Sequence, residues 1–342
     1  MKEIKNTRSK SIFKKLFVKL CRLMGYEIID QNNFFIPTQN KSLNENLSIQ
    51  GSKSINLPLG EVKITRKVKS LDIIIRTCAS VGMLTQNKQR IFEQEKIEYT
   101  LRSINSIIRS IKFANQHIKN VQINLTVVDH NSGEENLNKI KKLINDSELK
   151  YNLINLNLSE FDNKIKKTNE KNEPVTSNQI SNMSNIYKSL ELSKSFDDLI
   201  YFVEDDYIHE TKSVYEMIMT YERVASQINN EIILCPTDYP YLYTQSENTQ
   251  IFLGENYHWR KISETLCTFL TSKQIVQKYW SKFTSMCEFE HYPFEKPLHE
   301  IYAKELCLSP IPSIAIHCTN INSIYGLSPN LDWKKIWEEN KI

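Results

Sequence analysis

Three carboxylates stand side by side at Glu204-Asp205-Asp206, directly after the apolar run Tyr201-Phe202-Val203. Adjacent like charges raise one another's pKa and cost stability, so such a cluster calls for something that neutralises it. A divalent cation does so, because it takes oxygen ligands readily. The competing reading is a helix start, with Asp206 or Thr211 as the cap and the acids favoured by the helix dipole. A cap accounts for one carboxylate rather than three, which favours metal or nucleotide binding.

Other polar groups follow apolar runs in the same way. Arg76-Thr77 succeeds Leu71–Ile75, and Asp129-His130-Asn131-Ser132 succeeds residues 123–128, INLTVV. An arginine in that place either reaches phosphate or makes a surface salt bridge. Further along, His258-Trp259-Arg260 sets an aromatic ring beside a planar cation. Tryptophan stacks on sugar faces and arginine reads phosphate or carboxylate, with Trp259 as a plain core residue the alternative. Asp238 and Glu264 are further isolated carboxylates in this part of the chain, and His317 closes the apolar segment 310–316.

The elements that must hold these residues can be read from periodicity. Residues 71–75, 123–128, 151–158, 198–203 and 231–236 are short β-branched or apolar runs of strand length. Between them, residues 92–118, 134–145, 178–194 and 211–226 repeat apolar residues at helical spacing, as Ile97, Leu101, Ile104, Ile108 and Ile111 do. The polar stretch 160–176 reads as a mobile loop. Strands alternating with helices imply a doubly wound, mostly parallel α/β sheet flanked by helices. Ligands of such sheets bind beyond the carboxyl ends of the strands, where the polar clusters fall.

In this order and placement the motifs resemble the GT-A class of nucleotide-sugar glycosyltransferases, family 2 in particular, over roughly residues 70–320. Glu204-Asp205-Asp206 looks like an E-D-D variant of that class's DXD motif, with Asp206 the implied metal ligand and Glu204 and Asp205 beside the nucleotide. Val127-Val128-Asp129-His130-Asn131-Ser132 is similar to the segment that reads the nucleobase, and a carboxylate at Asp129 would accept the imide N–H of uracil. Arg76 and Thr77 occupy the nucleotide-contacting position. The resemblance further implies that His317 meets the metal or the donor diphosphate, and that manganese or magnesium is the cofactor. An inverting transferase needs a general base at the start of a late helix, for which Glu300 and Glu295 in PFEKPLHEIYAKEL are the candidates. Asp238, Trp259, Arg260 and Glu264 fall on the acceptor side. The expected activity is metal-dependent transfer of a sugar from a UDP-linked donor to a saccharide or lipid-linked saccharide, in cell-surface polysaccharide synthesis. A nucleotide-sugar-binding scaffold without turnover and a nucleotidyltransferase are the rival functions.

Composition narrows these classes. The chain has 342 residues with 40% hydrophobic and 25% charged, enough for a substantial core. Its seven glycines are scattered, which excludes a Walker A loop and a dinucleotide fingerprint and weakens a pyrophosphorylase reading. Seven cysteines without a CxxC pair argue against a zinc ribbon or disulfide framework and for a reducing cytoplasm. The net charge of +4 is concentrated at the start, where residues 1–25 hold eight Lys/Arg against Glu3 alone. The body is left slightly acidic, so no nucleic-acid partner is expected. Residues 11–24 form a basic amphipathic helix that either lies on an anionic membrane surface or packs on a protein. No signal peptide or membrane-spanning run is expected. The organisation read from sequence is an N-terminal arm at 1–30, a polar linker at 31–62 and a GT-A-like domain at 63–342.

Overall fold

The computed structural model describes residues 12–26, 54–57, 60–80, 92–244, 249–319 and 321–342. The chain divides into two compact units, Met1–Lys63 and Ile64–Ile342. In the first, helix α1 (Ile12–Leu23) leaves Phe13, Leu16, Phe17, Leu20 and Leu23 exposed, and β1 (Ser54–Leu57) pairs antiparallel with β2 (Gly60–Lys63). This strand pair falls at the end of the linker expected over 31–62, of which residues 31–53 and 58–59 lie outside the described residues.

The second unit is built on a nine-stranded mixed sheet. Strand β3 (Ser70–Thr77) is buried along its whole length, as its run of three isoleucines requires. It pairs in parallel with β4 (Gln122–Asp129) on one side and β6 (Leu199–Glu204) on the other, and β4 carries β5 (Tyr151–Asn155) in parallel outside it. The chain therefore winds outward from β3 through β4 to β5, then crosses back to β6. The gap between β3 and β6 is the topological switch point, where open α/β sheets bind ligands. Beyond β6 the order continues through β11 (Phe269–Ser272), β8 (Ile233–Leu234), β12 (Cys307–Ile311), β10 (His258–Ile262) and β9 (Ile251–Leu253). The antiparallel β11 was not legible as a strand in the sequence reading.

Helices cover both faces. On one, α2 (Lys96–His117) buries Ile104, Ile107, Ile108 and Ile111 against Ile73, Ile75 and Val127, with α5 (Ser213–Ile228) beside it. On the other, α4 (Ser177–Ser193) and α7 (Trp280–Glu288) pack over Ile74, Ile200 and Phe202. Short strands β7 (Tyr207–His209) and β13 (Ala315–His317) form a separate antiparallel ladder, against which the C-terminal helix α9 (Trp333–Glu339) seats Trp337 beside Tyr99 and Ile208.

Two expectations change. Residues 160–176 are tied down rather than mobile: Phe161, Ile165 and Val175 enter the core, and the buried Asn169 Oδ1 accepts Lys171 N and Glu173 N, both at 2.9 Å. Three apolar anchors suffice, although the composition between them is polar. The helix-cap reading of the acidic cluster also fails, because β7 separates Asp206 from α5, whose N-cap residue is Lys212. All seven cysteines are free, and no described helix is long and apolar enough to cross a membrane.

Candidate functional site

The carboxyl ends of β3 and β6 open into a cavity of about 360 Å³, within the range of small-molecule sites. Arg76 reaches it because residues 74 and 76 of β3 share the face that α4 covers. Its Nη1 donates to Asn182 Oδ1 at 3.3 Å and its Nη2 lies 3.3 Å from Glu204 Oε1. Glu204 also accepts from Thr268 Oγ1 at 3.2 Å. Burial raises the pKa of Glu204, with Arg76 opposing that rise and Asp206 adding to it. Asp205 turns the other way. Its oxygens accept Lys96 Nζ at 2.5 Å, Thr100 Oγ1 at 2.8 Å and Cys78 N at 3.2 Å, so it braces the turn after β3 against α2. Cys78, on the cavity wall, has its thiol pushed up to about 11 by burial and by Asp205, which disfavours the thiolate.

Asp206 meets His317. The β7–β13 ladder pairs His317 with Tyr207, and Cys318 N donates to Asp206 O at 2.9 Å, which brings the two side chains to 3.4 Å between Nε2 and Oδ2. Thr319 Oγ1 stands 2.8 Å from Asp206 Oδ2 and 2.9 Å from His317 Nε2. His317 Nδ1 faces Tyr325 O at 2.8 Å, and a carbonyl only accepts, so Nδ1 carries a proton. Burial opposes charge on both groups, yet each stabilises the other's ion: Asp206 is held below the ordinary carboxylate range and His317 is raised.

This arrangement suits a cation with two protein ligands. With Nδ1 fixed by Tyr325, deprotonated Nε2 would present its lone pair beside Asp206 Oδ2, since a carbonyl on one ring nitrogen orients the other toward a metal. No group of three or more His, Cys, Asp or Glu among the described residues is placed to hold a metal. Remaining ligands would have to come from a bound substrate.

Several residues singled out in the sequence lie elsewhere. Asp129 ends β4 with its carboxylate inside the protein, accepting from Thr77 Oγ1 at 2.6 Å and from Ser132 Oγ, and it does not line the cavity. Trp259 is fully buried in the core and donates to Glu216 Oε1. Asp238 and Arg260 form a buried ion pair joined by the Tyr243 hydroxyl. Glu264 accepts from the Tyr325 hydroxyl at 2.9 Å, which ties it to the residue that orients His317. None of these four acceptor candidates lines the cavity. Of the two base candidates, Glu300 is half-exposed and paired with Lys282 outside it, whereas Glu295 lines it at the N-cap of α8 (Lys296–Tyr302).

The structure adds residues to those named from the sequence: Lys96, the polar stripe Asn178, Asn182 and Asn185 along α4, and, beside Glu295, the segment of Glu290, His291, Tyr292 and Phe294. The asparagines recur at helical spacing and could have been found by that period; the segment has none.

No family model matches the chain, and no curated protein does. Solved structures similar to it include residues 1–349 of S. aureus TarS, at 12% identity over 64% of this chain and 55% of that one with a TM-score of 0.35. The galactosyltransferase LgtC with donor and acceptor sugar analogs aligns at 11% identity over 64% and 65%, TM-score 0.32. Mouse xyloside xylosyltransferase 1 aligns at 12% over 68% and 76%, TM-score 0.36. The chain thus spans only about half of the TarS structure it matches. These likenesses are distant and partial.

Proposed function

We propose that the protein is a metal-dependent glycosyltransferase that moves a sugar from a nucleoside-diphosphate donor to a saccharide or lipid-linked saccharide acceptor in cell-surface polysaccharide synthesis. The observation that carries this reading is the meeting of Asp206 and His317 at the end of β6, in a cavity that also presents Arg76 and Lys96. Asp206 Oδ2 and His317 Nε2 would hold manganese or magnesium, with diphosphate oxygens as further ligands. Such an ion supplies stabilisation of the negative charge that develops on the leaving diphosphate. Arg76 and Lys96, each already paired with a carboxylate, face the same negative charge. Glu295 takes the acceptor hydroxyl's proton as the general base of an inverting transfer. The base-reading role expected of Asp129 is not carried forward, because its oxygens are engaged inside the protein; UDP remains the first donor nucleotide to try.

Helix α1 supports peripheral attachment to an anionic membrane, since its exposed Phe13, Leu16, Phe17 and Leu20 accompany a strongly basic segment. The test of the activity is to incubate the full chain with nucleotide sugars and manganese and to analyse the products. Free nucleoside diphosphate supports transfer; pyrophosphate, or no turnover of any donor, overturns it.

A further inference from the structure

The transferase reading gives the acceptor one contact, the base Glu295, because Asp238, Trp259, Arg260 and Glu264 all lie off the cavity. One part of the lining has a different character from the strand ends. Segment 290–295 contributes Glu290, His291, Tyr292, Phe294 and Glu295: two carboxylates, two aromatic rings and an imidazole. Carboxylates accept hydrogen bonds from sugar hydroxyls, and aromatic faces pack on the C–H face of a pyranose.

This segment is held from behind by the polar stretch that the sequence marked as mobile. Lys166 N donates to Glu288 O at 2.9 Å and Glu170 N to Glu290 O at 3.3 Å. Glu170 Oε1 accepts Tyr292 N at 3.2 Å, and its Oε2 lies 3.8 Å from both His291 Nδ1 and Lys296 Nζ. Asn169 Nδ2 donates to the Tyr292 hydroxyl at 2.9 Å, while Lys171 Nζ sits 4.6 Å from the centre of its ring. Glu170 therefore holds the wall's backbone at Glu290 and Tyr292 and also faces His291 and the flanking Lys296. It also adds a third negative charge behind Glu290 and Glu295.

We propose that residues 290–295 form the acceptor-binding wall, that this wall takes a neutral, hydroxyl-rich sugar and rejects an anionic one, and that Glu170 is its positioning residue. The proposal rests on the transferase reading for the word acceptor. Like charges brought together at a binding surface suppress the wrong partner, so a uronate or phosphate entering beside Glu290 and Glu295 is repelled. A neutral glycoside meets the carboxylates, the His291 imidazole and the aromatic rings without that repulsion.

The test is saturation-transfer NMR on the full chain with UDP and magnesium, using methyl glucoside and methyl glucuronide as probes. Methyl glucoside should receive saturation and bind at least about ten-fold tighter than the glucuronide. Glu170→Gln should weaken methyl glucoside several-fold while UDP affinity stays at the parental value, and Glu170→Asp should restore part of the loss. A general structural fault would weaken both ligands. Glu290→Lys, which does not depend on the fate of the Glu170 variants, should shift preference toward the glucuronide. Glucuronide binding as tightly as glucoside, or parental glucoside affinity in Glu170→Gln, overturns the proposal. Failure of UDP itself to bind strikes the transferase reading, and the two glycosides still judge the wall.

Discussion

His317 Nε2 stands 3.4 Å from Asp206 Oδ2, and the antiparallel pairing of β13 with β7 is what brings them there. The acid ends the central parallel part of the sheet, and the imidazole returns from the last strand of the chain. Tyr325 fixes the imidazole's tautomer, Glu264 holds Tyr325, and α9 packs Trp337 against Ile208 and Ile316 of the small ladder while Arg102 of α2 stacks on its ring, 4.1 Å from the centre. Two short strands thus convert distant residues into one pair.

The general base is the first residue to test. Glu295→Gln keeps shape and removes basicity, and should lower turnover by about 100-fold while sparing UDP affinity. Glu300→Gln should leave turnover within about two-fold, since removing an exposed ion pair changes little. Steady-state kinetics on both variants decide the matter, and equal effects would remove Glu295 from this role.

Asp238 and Arg260 should prove to be stability residues. Arg260→Ala leaves a buried carboxylate without its cation, which costs about 3–5 kcal/mol. Chemical denaturation should register that loss. A variant of parental stability with weakened acceptor binding would return Arg260 to the cavity side.

How far the sequence reached is visible in these same residues. The ends of β3, β4 and β6 were legible because β-branched runs stop at polar groups, and both Arg76 and Asp206 follow from that. Trp259-Arg260 misled because neighbouring residues of a strand point to opposite faces: on β10, held between β9 and β12, Trp259 enters the core on one side and Arg260 is buried against Asp238 on the other. Glu295 and Glu300 lie too close in sequence for pattern to separate, whereas the turn into α8 sends one to the cavity and one to solvent. The wall at 290–295 has no period, and its buttress reads as a mobile loop by composition.

Acid should destabilise the fold through His209. Its ring is buried between Ser106 and the Tyr201 hydroxyl, and burial pushes its pKa down to about 3. The unfolded chain binds this proton near pH 6.5 and the folded one does not, so stability rises with pH between the two values and is lost on acidification. Lowering pH from about 7 to about 5 should cost on the order of 2 kcal/mol through this group. His209→Gln, compared with the parent by thermal unfolding at both pH values, should show a smaller drop; an identical drop would contradict the assignment.

Attachment through α1 predicts that the full chain co-sediments with phosphatidylserine vesicles and is released by salt, because each surface lysine contributes about 1 kcal/mol. Replacing Phe13 and Leu20, 83% and 54% exposed, by glutamate should abolish sedimentation without changing turnover on a soluble acceptor. Undiminished sedimentation of that variant would exclude the helix as the anchor.

The central claim is that Asp206 and His317 hold a cation that in turn holds the donor diphosphate. Calorimetric titration of UDP into the parent chain and Asp206→Asn, each with manganese and with EDTA, tests it most directly. The expected result is UDP binding by the parent that requires manganese and weakens at least about ten-fold in Asp206→Asn. His317→Ala should weaken it less, and the double variant should lose less than the two single losses combined, because both act on one centre. UDP bound equally well in EDTA, or by Asp206→Asn at parental affinity, would contradict the account.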